Sequence, residues 1–98
     1  MKILIIGSGG REYSIARAIL NEKEAHELFF MPGNGATSSM GTNLDIKEYN
    51  ALAEFAKDNG IELTIVGPEA PLVDGVVDIF KAHGLVIFLI VPNMGLSH

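Results

Sequence analysis

Gly7-Ser8-Gly9-Gly10-Arg11-Glu12 follows a short apolar run and opens a stretch of helical periodicity. A turn of this composition suits an anion. Glycines permit positive φ and let backbone approach a ligand closely. A helix starting there points free N–H groups and partial positive charge at the same spot. Arg11 adds a forked donor matched to phosphate or carboxylate. The same residues would also make a tight strand–helix turn with Arg11 in solvent, and so short a motif leaves both readings open.

Two further segments carry candidate chemistry. In Gly67-Pro68-Glu69, a carboxylate behind a Gly-Pro turn could accept hydrogen bonds from sugar hydroxyls or an amine. Equally, Glu69 could be an acid favoured near a helix N-terminus. In Pro32-Gly33-Asn34-Gly35, Asn34 could supply left-handed turn geometry. Other chemistries are poorly served. The spacing Gly-x-Gly-x-x-Gly needs a small residue at position 12, which is Glu, and no acid ends the second apolar run, Phe30-Met31-Pro32. Dinucleotide binding is therefore not expected. No Gly-Lys-Ser/Thr follows the first turn, so it is no Walker loop. His26, His83 and His98 are scattered, and no metal site is arguable. His83 stands where it would meet the last carbonyls of a helix. Tyr13 and Tyr49 read as packing residues.

These segments need a frame to hold them. Lys2 to Ile6 reads as a strand buried on both faces. Gly10 to Glu22 has helical spacing, with Ile15, Ala18 and Ile19 on one face and Ala16 and Leu20 beside it. Glu27 to Met31 is the second strand. Asp45 to Asn59 is the second helix, with Asp45 and Glu48 spaced as a capping box and Gly60 at its end. Its apolar stripe is Tyr49, Leu52, Ala53, Phe55 and Ala56. Glu62 to Val66 is the third strand. Pro71 to His83 is the third helix, with Leu72, Val73, Val76, Val77 and Phe80 inward, Gly75 within it and Gly84 ending it. Leu85 to Val91 is the fourth strand. Pro32 to Leu44 fits neither period, and a connection of about a dozen residues is often functional. The alternation predicts a small open parallel α/β sheet with flanking helices. In such a sheet ligands collect beyond the carboxyl ends of the strands, where all three candidate segments fall.

Composition narrows the partners. The chain has 98 residues, 48% hydrophobic, which points to one domain with a modest core. Its net charge of −5 disfavours nucleic acid, which asks for clustered Lys and Arg. Leu85 to Val91 is far short of the roughly 20 apolar residues of a membrane span. The N-terminal run does not read as a signal peptide, so a soluble cytoplasmic protein is expected. There is no cysteine, hence no disulfide, thiolate metal site or cysteine nucleophile.

Met1 to Glu12, Pro32-Gly33-Asn34 and Leu63 to Val73, in that order, resemble the phosphoribosylamine–glycine ligase family. The resemblance runs over about residues 1–88, and Val66 to Val73 is its most specific part. It implies a Rossmann-like, pre-ATP-grasp domain at the N-terminus of an ATP-dependent ligase. ATP with Mg²⁺ would phosphorylate glycine, and the amine of 5-phosphoribosylamine would attack the acyl phosphate. The products would be glycinamide ribonucleotide, ADP and phosphate. The resemblance assigns Gly9, Gly10 and Arg11 to the phosphate side, Asn34 to the substrate loop and Glu69 to the ribose or amine. It assigns the nucleotide and metal sites to later domains.

Three departures qualify it. Tyr13 stands where the family usually has His, so that residue's role does not carry over. Gly35-Ala36 replaces the commoner Ala-Gly. After Phe88 the chain leaves the family pattern, so residues 89–98 read as a divergent tail of a truncated chain, inactive by itself. The alternative is a stand-alone binding module that self-associates through the last strand.

Overall fold

The computed structural model describes residues 1–7, 10–21, 26–35, 37–67 and 75–89, with residues 10–12 as backbone alone. Strand β1 (Lys2–Gly7) is followed by helix α1 (Gly10–Leu20) and strand β2 (Glu27–Pro32). A 3₁₀ turn (Thr37–Ser39) and a two-residue strand β3 (Thr42–Asn43) come next. Helix α2 (Tyr49–Asp58), strand β4 (Leu63–Val66), helix α3 (Val76–Ala82) and strand β5 (Ile87–Leu89) complete the elements of the described residues. The five strands form one sheet in the order β3-β2-β1-β4-β5. Every pair is parallel. Among the described residues, no helix is long and apolar enough to cross a membrane.

Side chains on a strand alternate between faces, and β1 splits its isoleucines and leucine accordingly. Ile3 and Ile5 join Leu28, Phe30 and Ala16 of α1 in one buried cluster. Leu4 and Ile6 join Phe29, Met31 and residues of α2 and α3 in the other. Both faces of the central strand are thus covered, which is why its sequence is continuously apolar. Phe80 and Phe30 are fully buried, one in each cluster.

The expected elements are present, with corrected boundaries. Helix α2 starts at Tyr49, not Asp45. Glu48 is extended, with φ −106° and ψ 138°, and makes no side-chain cap, so the Asp45–Glu48 capping box does not form. The reason is tertiary. The Leu44 N–H donates to the Phe30 carbonyl at 2.7 Å, continuing the β3 ladder, and Ile46 packs on the core. Burial of these two side chains holds the segment extended against its local helical signal. Among the described side chains of α1, Ala16 is fully buried, while Ala18 and Leu20 face outward.

Gly75 is not inside α3 but at its N-cap, with φ 93°. Pro71, Leu72 and Val73 lie outside the described residues. The loop from Pro32 to Leu44 contains the 3₁₀ turn and adds a fifth strand that no sequence period announced. The two helix ends at Gly60 and Gly84 are as expected. Each glycine has positive φ, and Ile61 and Leu85 donate back to the carbonyls of Ala56 and Phe80. This is the Schellman arrangement. His83 Nδ1 lies 2.8 Å from the Ile79 carbonyl, as its place near a helix end suggested.

Candidate functional site

The chain runs outward from β1 to β2 and β3, then returns to β4 on the other side of β1. The crevice beyond β1 and β4 is therefore the switch point of the sheet, where parallel α/β sheets take their ligands. Three strand ends meet there. Gly7 pairs with Pro32 at the ends of β1 and β2. Ile6 pairs with Val66, and the Gly67 N–H donates to the Ile6 carbonyl at 2.9 Å. Segments separated by dozens of residues in sequence are thus joined backbone to backbone. Gly7 has φ 133°, a value that side-chain-bearing residues rarely adopt.

Gly10 and Arg11 form the start of α1, so the backbone of the first turn does open a helix at this edge. Gly9 and Glu69 lie outside the described residues. Asn34 is described in full. Gly33 carries the positive φ of this turn, 73°. Asn34 acts as a cap: its Oδ1 accepts from the Thr37 N–H at 3.0 Å, and its own N–H donates to Thr37 Oγ1 at 2.8 Å. Asn43 Nδ2 donates to the Asn34 carbonyl at 2.8 Å, and Thr37 Oγ1 lies 2.9 Å from Asn43 Oδ1.

Thr37, fully buried, and Asn43 were not singled out from sequence. Hydroxyl and amide side chains within a loop carry no periodic signal. The spacing Asn34-x-x-Thr37 is that of a capping pair and was the available clue. Tyr13 does not serve packing alone: it accepts a 3.3 Å hydrogen bond from Arg17 Nη1, and the guanidinium stands 5.9 Å from its ring centroid. Tyr49 packs on the core as expected.

A cavity of about 520 Å³ lies at the opposite, amino end of the sheet, lined by Met1, Lys2, His26, Glu27, Asn59, Gly60 and Glu62. Two of its charged side chains, Lys2 and Glu62, are engaged in structure. Lys2 Nζ donates to the Asn59 carbonyl at 2.9 Å, and the Lys2 N–H reaches Glu62 Oε1 at 3.3 Å. Mixed charges and an open mouth make it a poor anion site, so the carboxyl edge remains the candidate. Among the described residues, no three His, Cys, Asp or Glu side chains are placed to hold a metal ion.

A parallel, doubly wound α/β domain with a glycine-lined switch point is the class that fold and edge define. Comparison with known proteins narrows it: the chain belongs to the family of the phosphoribosylglycinamide synthetase N domain, which matches residues 1–92. It is similar to the phosphoribosylamine–glycine ligase of Clostridium acetobutylicum, 49% identical over 90 residues, covering 90% of this chain and 22% of that protein. The ligase of Vibrio cholerae is 49% identical over 92 residues, covering 90% and 21%. A crystal structure of the Thermotoga maritima ligase superposes with a TM-score of 0.57 at 28% identity, covering 76% of this chain and 17% of that one. The chain thus spans about a fifth of the length of the curated relatives it matches.

Proposed function

We propose that this chain is the substrate-side domain of a ligase that joins glycine to 5-phosphoribosylamine in purine synthesis, and that alone it does not catalyse ligation. The observation that carries this is the meeting of the three strand ends at one edge, in a chain of this family. Backbone N–H groups at Gly9 and Gly10, with Arg11, take the sugar phosphate. The α1 dipole favours that negative charge, and the glycines let the oxygens come close. Asn34 belongs to the loop on the β2 side. Glu69, after β4, receives the ribose hydroxyls or the amine. In this division residues 1–88 form the domain and 89–98 a tail.

ATP and Mg²⁺ belong to the polypeptide that the relatives carry beyond this domain. Among the described residues no acid cluster fits the metal. Such substrates place the protein in the cytoplasm. The test is ADP formation by the purified 98-residue chain given ATP, Mg²⁺, glycine and phosphoribosylamine. The expected outcome is no turnover above background, and robust turnover would overturn the claim of inactivity.

A second reading, self-association, is favoured by β5. It is an edge strand, and Val86, Phe88 and Leu89 on and beside it are 51%, 59% and 41% exposed.

A further inference from the structure

The Pro32 to Leu44 loop is closed by a ring of hydrogen bonds through Asn34, Thr37 and Asn43. The Asn34 N–H donates to Thr37 Oγ1 at 2.8 Å. The Thr37 hydroxyl has one proton and two acceptors in reach, Asn43 Oδ1 at 2.9 Å and the Asn34 carbonyl at 3.0 Å. Asn43 Nδ2 at 2.8 Å and the Ser38 N–H at 3.1 Å already take both lone pairs of that carbonyl, so the proton goes to Asn43 Oδ1. A closed chain of this kind strengthens each member by polarisation. It needs Gly33: a Cβ there would overlap the Asn43 amide and crowd Thr37 Oγ1. Thr37 is the fully buried hub, while Asn43 is exposed on β3 and Asn34 half-buried.

Asn34 spends its N–H, its carbonyl and its side-chain oxygen on this ring and on the Thr37 N–H. Those three groups face the loop's interior. We infer that Thr37 and Asn43 are positioning residues for a sugar-phosphate ligand: they clip the loop so that the turn at Gly33, which directly follows the Gly7–Pro32 pair, keeps its place at the carboxyl edge, and the groups that Asn34 spends on the clip serve that placement rather than touching the ligand. The inference rests on the substrate reading above. It assigns a ligand-related task to two residues outside the anion turn.

The test is titration of the 98-residue chain with ribose 5-phosphate, beside thermal unfolding of each variant. Thr37→Val removes the hydroxyl at nearly constant shape and is expected to weaken binding about tenfold. Thr37→Ser keeps the hydroxyl and is expected to stay within about threefold of the parent. Asn43→Ala, at an exposed site that leaves the core intact, is expected to match Thr37→Val, and the double variant to be no weaker than either single one. Affinities are compared below the unfolding temperature of each variant, so a merely structural role would lower that temperature and leave affinity unmoved. Folded Thr37→Val or Asn43→Ala binding like the parent would overturn the inference and spare the substrate reading. Serine behaving like valine would also overturn it. A parent chain that does not bind at all removes the substrate reading, and this inference with it.

Discussion

Thr64 is fully buried on β4, and its Oγ1 meets no hydrogen-bond partner among the described residues. It lies between Leu4 of β1 and Ile87 of β5, on the face covered by α2 and α3. A buried hydroxyl without a partner gives up its water and gains nothing back. Thr64→Val keeps the shape and removes that cost, so stability rises by about 1 kcal/mol. Equilibrium urea unfolding checks it: the midpoint should move up at constant slope, and a lower midpoint would mean that the hydroxyl is satisfied after all. At this scale the sequence was legible wherever a residue type has one dominant use. Gly60 and Gly84 cap helices, and His83 meets a carbonyl, because the local geometry asks for little else. Thr37, Asn43 and Thr64 were not legible, because a hydroxyl or amide shows its role only through partners that folding brings near.

The elements follow the apolar pattern, and they depart from it where burial competes with local preference. Asp45 to Glu48 has the composition of a helix start, yet Leu44 and Ile46 are worth more against the sheet than a capping box is at the helix end. Buried Leu44 contributes about 1.5–3 kcal/mol and partly buried Ile46 a fraction of that, against about 1 kcal/mol for a cap. Strand β3 escaped notice because two residues are too few to show alternation. Strand β5 raises the opposite question, since its apolar residues outnumber its buried ones. The register puts Phe88 beside Ile65 on the α1 face, while Ile87 faces α2 and α3. Phe88→Asp therefore removes exposed apolar surface without opening the core, and its effect on stability stays within about 0.5 kcal/mol. Sedimentation velocity over a range of concentrations checks the self-association reading. The parent should show a concentration-dependent shift that Phe88→Asp abolishes, and a parent that stays strictly monomeric would rule the reading out.

For the whole molecule, the legible part was the topology of the edge. Strand–helix alternation alone placed the turns after Ile6, Met31 and Val66 together, and the register joins them through Gly7, Pro32 and Gly67. The groups expected to do the binding are a different matter. Glu69 and Gly9 fall outside the described residues, and Asn34 turns its oxygen inward to hold a loop. The chain belongs to the family of the phosphoribosylglycinamide synthetase N domain and spans about a fifth of its relatives' length, so the reaction stays part of the proposal made above. The central claim is therefore about place: a sugar phosphate binds at the carboxyl edge of this sheet. Amide chemical shifts of the isotopically labelled chain, recorded through a titration with ribose 5-phosphate, test it most directly. The account predicts saturable shifts at Gly7, Gly10, Gly33 and Gly67, with Lys2, Glu27 and Glu62 at the amino end unmoved. Shifts confined to the amino-end cavity, or none at any residue, would contradict it.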